Sequence, residues 1–134
     1  MDFFRGRYSL FVAIGAIFGA LSRVYIAKLF ESLFGQEWQF FGTFFVNVSG
    51  CLIIGYIFTI VRKNIRIISP ELGLMLATGF CGSYTTFSTY SLEVNKFLER
   101  GNMTFGLIYC FGSVLGGMMA LKIGVILART GFPR

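Results

Sequence analysis

Four long apolar runs constrain this chain more than any other feature. They cover approximately residues 8–30, 40–61, 70–92 and 103–128, and each can form a helix of the roughly 20 residues that a hydrocarbon core requires. Only 13% of the 134 residues are charged, whereas a soluble domain carries about 25%. The runs predict an all-α integral membrane protein with four transmembrane helices, forming a single domain over residues 1–134.

The third run contains a polar stretch, Gly79 to Ser91, which reads Gly-Phe-Cys-Gly-Ser-Tyr-Thr-Thr-Phe-Ser-Thr-Tyr-Ser. So many glycines and hydroxyls are not typical of a lipid-facing helix. A helix interrupted here would leave backbone N–H and C=O groups without helical partners. At membrane depth such a break is tolerated only where it is buried in protein or lines a water-filled cavity. The stretch therefore predicts a path for an ion or another substrate.

Two polar residues in other runs each allow two interpretations. Asn47 shares a helix face with Thr43 and Gly50, so its amide can form an interhelical hydrogen bond or can be a donor presented to a pore. Arg23 lies too deep in the first run to be an ordinary end residue. It either snorkels to the interface or draws anions into a vestibule.

The residue types that are missing exclude several classes of function. The chain has no histidine and no clustered carboxylates, which argues against a metal site of the usual ligands, against acid–base catalysis and against an enzyme. Cys51, Cys81 and Cys110 are odd in number and fall in apolar runs, so we expect buried free thiols. The net charge of +6 is explained by membrane topology without a nucleic-acid partner.

Basic residues concentrate near both termini and in the loop after the second run, where Arg62, Lys63 and Arg66 lie. The positive-inside rule then predicts a multi-pass protein of the cell membrane with both termini in the cytoplasm. On the opposite side we expect a solvated connector after the third run; its charged residues are Glu93, Lys96, Glu99 and Arg100.

Small residues predict how the helices pack and assemble. Gly15 and Gly19 are four residues apart, so they lie on one face of a helix and allow a second helix to approach closely. Four short spans with short connectors cannot easily enclose a pathway alone. We therefore expect an oligomer in the lipid bilayer.

The sequence Gly-x-x-Gly-x-x-Thr-Thr-Phe-Ser-Thr at residues 79–89, combined with Asn47, Tyr109 and Ser113, resembles the Fluc or CrcB family of small four-span fluoride channels. The resemblance implies an antiparallel, dual-topology dimer whose third helix is broken at mid-membrane. The second subunit would be the same chain or a related paralogue. The implied function is passive, fluoride-selective export from the cytoplasm, which protects the cell against fluoride toxicity.

The resemblance also implies roles for individual residues. Backbone carbonyls of Gly82 and Thr85 would hold a structural sodium ion at the centre of the dimer, with the helix break between these two residues. Phe87 and Tyr90 match two pore phenylalanines, and Tyr90 departs from the pattern by its phenolic hydroxyl. The other implied pathway residues are Asn47, Tyr109, Ser113, Thr86, Ser88 and Thr89, and Arg23 would line the vestibule.

Two other functions are compatible with a small four-span protein. A proton-coupled drug exporter needs an intramembrane carboxylate, and none of the predicted spans has one at its centre. An accessory membrane subunit would use the polar stretch only to hold helices together. That interpretation explains the glycines but not the many hydroxyls around a break.

Overall fold

The computed structural model describes residues 6–63 and 68–132, and every regular element in these two ranges is helical. In chain order the elements are α1 (Gly6–Phe34), a 3₁₀ turn (Gln36–Trp38), α2 (Gln39–Arg62), α3 (Pro70–Leu74), a π-helical segment (Met75–Cys81), α4 (Gly82–Tyr84), α5 (Phe87–Glu99) and α6 (Met103–Gly131). Among the described residues, three helices are long and apolar enough to cross a membrane: α1, α2 together with the preceding 3₁₀ turn, and α6. The predicted all-α fold with membrane-spanning helices is confirmed. The third predicted span is divided among α3, the π-helical segment, α4 and α5, which together are called the third span below.

The third span begins at a helix cap that the sequence already indicates. The Ser69 hydroxyl accepts a hydrogen bond from the backbone N–H of Leu72 at 3.2 Å, and Pro70 occupies the first helical turn. Glu71 follows in that turn and forms an ion pair with Arg7 of α1. A carboxylate is favourable there because the N-terminal end of a helix is electropositive.

The third span is interrupted at Thr85 and Thr86. Both residues are extended, with φ −78° and ψ 155° at Thr85 and φ −146° and ψ 117° at Thr86. Gly82 is helical, with φ −63° and ψ −28°, and the helical turn continues to Tyr84. The expected break is therefore present but shorter than predicted, and it begins three residues after Gly82.

After the break, α5 continues to Glu99, seven residues beyond the predicted end of the third span. Gly101 then turns the chain with φ 75°, a conformation that glycine adopts without strain. Asn102 caps α6 because its side-chain oxygen accepts a hydrogen bond from the backbone N–H of Phe105 at 3.4 Å.

The first and third spans are in backbone contact at two glycines of α1. A Cβ atom on Gly15 would overlap the carbonyl of Met75, and one on Gly19 would overlap the carbonyl of Phe80. The predicted close packing through these glycines is confirmed. Its consequence is that α1 supports the π-helical segment that leads into the break.

Glycines also join α2 to α6. A Cβ atom on Gly55 would overlap the carbonyl of Leu121, and one on Gly124 would overlap the carbonyl of Leu52. These reciprocal contacts bring the two helix backbones together over about one turn of each helix.

Several helix ends meet at one end of the bundle. The Lys63 ammonium donates to the carbonyl of Phe132 at 2.8 Å, which joins the end of α2 to the end of α6. Gly73 of α3 lies beside Val61, close to the same end of α2. Arg66, which follows Arg62 and Lys63 in the basic loop after the second run, lies outside the described residues.

Large apolar side chains cover much of the outer surface. Phe18, Leu21, Phe111 and Met119 each expose about three fifths of their surface, and Phe87 exposes 79%. Such a surface is suited to lipid tails or to a second subunit rather than to water.

Candidate functional site

The break in the third span is joined to α2 by a pair of hydrogen bonds. Asn47 Nδ2 donates to the carbonyl oxygen of Thr86 at 3.1 Å, and Asn47 Oδ1 accepts from the backbone N–H of Thr86 at 2.7 Å. The side-chain amide thus takes the place of backbone partners for both the N–H and the C=O of Thr86. Of the two interpretations of Asn47, the structure shows the interhelical hydrogen bond. The amide NH₂ group has two N–H donors, and the bond to Thr86 uses one of them.

This pairing changes which carbonyls have helical partners. In a continuous α-helix, Thr86 N–H would donate to Gly82 and Thr89 N–H would donate to Thr85. Instead Thr86 N–H donates to Asn47, and Thr89 N–H donates to the Thr86 hydroxyl at 3.2 Å. The carbonyls of Gly82 and Thr85 therefore lack the donors that a regular helix would give them.

Three hydroxyls gather at the start of α5. Thr86 Oγ1 lies 3.2 Å from Ser88 Oγ and 3.0 Å from Thr89 Oγ1. Thr86 is buried, whereas Ser88 and Thr89 are exposed. The Thr85 hydroxyl belongs to a different environment, because it donates to the Cys81 carbonyl of its own helix at 2.9 Å. The cluster offers O–H groups at the positive end of a helix, where an anion is favoured.

A cavity of about 350 Å³, called the vestibule below, adjoins this hydroxyl cluster. Val24, Ala27 and Val46 form the apolar part of its lining, and the polar and charged lining residues are Arg23, Lys28, Glu31, Gln39, Thr43, Thr86 and Thr89. Its charged residues are two cations and one carboxylate, so the vestibule is formally positive. The structure therefore brings Arg23 together with the hydroxyls.

Three aromatic rings lie in series along α5 and α6. The centroids of Phe87 and Tyr90 are 5.6 Å apart with an interplanar angle of 46°. Those of Tyr90 and Tyr109 are also 5.6 Å apart, at 54°. Tyr90 and Tyr109 each expose only 7% of their surface, whereas Phe87 projects outward. Phe87 thus lies at the boundary between the buried polar groups and the surface of the subunit.

A buried carboxylate on α5 is the group that the sequence analysis missed. Glu93 is 8% exposed and accepts hydrogen bonds from Thr43 Oγ1 and from Tyr109 O–H, both at 2.7 Å. The expectation of a solvated connector at Glu93 is wrong, because its two hydroxyl donors replace the water that burial removes. One signal was available: Thr86, Tyr90 and Glu93 are spaced four and three residues apart and share one helix face.

Ser113 lies one helical turn beyond Tyr109 on α6 and is also buried. Its hydroxyl oxygen has no hydrogen-bond partner within residues 6–63 and 68–132. Buried hydroxyls are normally paired, so this one is available to another polar species. It lies on the same face of α6 as Tyr109, four residues further along the helix.

Among the described residues, no group of three or more His, Cys, Asp or Glu side chains could hold a metal ion. Carbonyl oxygens are a different type of ligand, one that suits hard cations such as sodium or calcium. The carbonyls that the break releases are oxygen groups of this type.

The fold and this site define a small multi-pass membrane protein with an interrupted, polar-lined span, an arrangement that ion channels and transporters use. Residues 10–125 match the family described as CrcB-like protein, Camphor Resistance (CrcB), and the chain belongs to that family. The resemblance found in the sequence is confirmed.

Relatives of this chain carry names that specify an ion channel. The chain is 41% identical over 123 residues to the "Fluoride-specific ion channel FluC" of Trichormus variabilis. The matched region covers 92% of this chain and 89% of the relative. Proteins of the same name from Synechococcus sp. and Chlorobium phaeobacteroides are 42% and 40% identical, covering 88% and 90% of this chain and 89% and 91% of the relatives. Neither the family description nor these names is that of an enzyme.

Proposed function

We propose that this chain is a subunit of a fluoride-selective channel. The observation that carries the proposal is the break at Thr86, held open by Asn47, in a chain 41% identical to a relative named as a fluoride-specific ion channel. A broken span supplies polar groups at membrane depth without requiring lipid to solvate them. Fluoride is small and strongly hydrated, so it enters only where fixed donors replace its water.

The proposed pathway begins in the vestibule, where Arg23 raises the local concentration of anions. The donors that follow are the second N–H of Asn47 and the hydroxyls of Thr86, Ser88 and Thr89. Fluoride then meets the positive ring edges of Phe87 and Tyr90. Tyr109 and Ser113 complete the proposed pathway on α6.

We propose that the channel is an antiparallel dimer, formed with a second copy of this chain or with a related paralogue. Two surface features near the break support a partner there. Phe87 is 79% exposed although its ring is proposed to line a pathway. Gly82 is exposed, and a Cβ added to it would meet nothing within 4 Å. A second subunit would cover both residues and enclose the route.

The family resemblance includes a structural sodium ion, and the residues of this chain fit one. The carbonyls of Gly82 and Thr85 would hold it, because the N–H groups that would otherwise pair with them are bonded to Asn47 and to the Thr86 hydroxyl. Bound there, the ion would supply positive charge that joins the two broken helices of a dimer. Its loss should lower thermal stability when sodium is replaced by choline at equal ionic strength, by about 2.7 kcal/mol if sodium exceeds its Kd a hundredfold.

In the cell we propose that fluoride leaves the cytoplasm passively, down its electrochemical gradient, and that this protects against fluoride toxicity. The proposed location is the cell membrane, the inner membrane where a cell has two, with both termini in the cytoplasm. Support for the orientation comes from Lys63 and Phe132, which meet at the same end of the bundle as Arg7 and Glu71.

A proton-coupled drug exporter is the second function to consider, and Glu93 is the observation that favours it. Glu93 lies one residue beyond the predicted end of the third span, and it is a buried carboxylate bonded to hydroxyls of α2 and α6. Such a carboxylate could carry protons. An accessory subunit remains the third alternative, and neither is suggested by the names of the relatives.

Fluoride efflux from liposomes that contain only the purified protein tests the proposal. We expect fluoride to leave and chloride to be retained, with no requirement for a proton gradient. Phe87→Ile should reduce fluoride efflux while leaving the dimer intact, whereas Phe18→Ile, at an exposed position of α1, should not. Chloride efflux at the rate of fluoride would overturn the proposal. The proposal would also be overturned if neither ion left the liposomes, both when they contain this protein alone and when an oppositely oriented paralogue is added.

A further inference from the structure

The hydroxyl of Tyr90 is bonded to α6. It donates to the backbone carbonyl of Cys110 at 2.8 Å, and it lies 3.2 Å from the Cys110 sulfur. The ring belongs to a buried cluster with Phe40 and Tyr109. The oxygen therefore occupies a defined position against α6, on a side chain that exposes only 7% of its surface.

A free phenolic hydroxyl in an anion pathway would be a strong hydrogen-bond donor, whereas a ring edge is a weak one. A strong donor at this point would bind the anion and slow its departure, since conduction requires binding that is weak enough to release the ion. The tyrosine can act as a phenylalanine does only if its hydroxyl is bonded elsewhere. The contact with Cys110 provides that alternative partner.

Residue 110 decides whether there is room for the hydroxyl. The sulfur of Cys110 already lies 3.2 Å from the oxygen, so a branched or longer side chain would place atoms where the hydroxyl now lies. A smaller side chain would leave the backbone carbonyl accessible. The size of residue 110 therefore controls this arrangement more than its chemistry.

We propose that Cys110 is a positioning residue that keeps the Tyr90 hydroxyl against α6, so that Tyr90 presents a ring edge and not an O–H group to the fluoride pathway. The inference rests on the proposed channel function. It assigns to Cys110 a role that acts entirely through Tyr90.

Fluoride efflux from liposomes, measured in a double-mutant cycle, separates this role from simple packing. Tyr90→Phe removes the hydroxyl and keeps the ring edge, so the efflux of this variant is the reference for the second half of the cycle. Cys110→Leu should lower efflux about tenfold when Tyr90 is present, because one hydrogen bond is lost and a donor enters the pathway. Cys110→Leu added to Tyr90→Phe should lower efflux by less than about twofold relative to Tyr90→Phe alone. Cys110→Ala is the matched small substitution and should leave efflux unchanged.

Equal loss of efflux from Cys110→Leu in the two backgrounds would overturn the inference, because packing alone would then explain it. So would a large loss from Tyr90→Phe, which would mean that the hydroxyl takes part in conduction.

Infrared spectroscopy of the Cys110 S–H stretch provides a measurement that does not depend on conduction. The protein for this test carries Cys51→Ala and Cys81→Ala, so that one thiol remains. We expect the S–H band to shift when Tyr90 is changed to Phe. No shift would overturn the inference even if the protein conducts fluoride. A shift in a protein without fluoride efflux would instead reject the proposed function and leave the Tyr90–Cys110 contact established.

Discussion

Asn47 and Thr86 form a two-sided pair in which one side-chain amide satisfies both the N–H and the C=O of one backbone residue. The pair joins α2 to a residue that has left helical geometry. The break therefore does not depend only on the residues at which it occurs. It is stabilised by a side chain that lies 39 positions earlier in the sequence.

Asn47→Ala should destabilise the fold and reduce fluoride efflux together. The substitution leaves both backbone groups of Thr86 without their partner, which costs about 1–3 kcal/mol for each buried group. Thermal unfolding in detergent and efflux from liposomes measure the two effects. Asn95→Ala is a matched control, because Asn95 is exposed and its side chain bonds to the exposed Glu99 at 2.8 Å. Equal effects of the two substitutions would contradict the role of the pair.

The carboxylate of Glu93 should be the centre of a coupled network. Thr43→Val and Tyr109→Phe each remove one hydroxyl that donates to it, so each should lower the free energy of unfolding by about 1–3 kcal/mol. Because both act on one carboxylate, the double variant should deviate from additivity by about 0.5 kcal/mol or more. Thermal unfolding of the single and double variants measures this. Glu99→Gln, at an exposed carboxylate of the same helix, should have little effect.

Features of this fold that depend on one segment could be predicted from the sequence. The Ser69 cap lies within a few residues of its partner, and the contact of Gly15 and Gly19 with another helix follows from their spacing. The polar character of the third span likewise indicated a break.

Features that depend on several spans could not be located in this way. The burial of Glu93 requires Thr43 from α2 and Tyr109 from α6, which no local pattern brings together. The break lies at Thr85 and Thr86, where Asn47 bonds the Thr86 backbone, whereas Gly82 is helical. The partner of the Tyr90 hydroxyl is a backbone carbonyl, and a carbonyl leaves no signal in the sequence.

Arg23 should affect conduction through the charge of the vestibule. With Lys28 and Glu31 it gives the cavity its formal excess of one positive charge, and Arg23→Gln removes that excess. Initial fluoride efflux should fall more at low ionic strength than at high, because the Debye length shortens from about 30 Å at 0.01 M to about 3 Å at 1 M. Arg129→Gln, in the last turn of α6, is the control. A salt-independent effect at Arg23 would favour simple snorkelling.

Gly19→Ala should destabilise the protein far more than the same substitution at Gly112. A Cβ at Gly19 meets the backbone carbonyl of Phe80, which cannot move without shifting the π-helical segment before the break. Overpacking of this kind costs about 1–3 kcal/mol. A Cβ at Gly112 meets nothing within 4 Å, and alanine there should add up to about 1 kcal/mol of helix stability. Thermal unfolding of the two variants in detergent provides the comparison, and equal stability would show that α1 does not support the third span through Gly19.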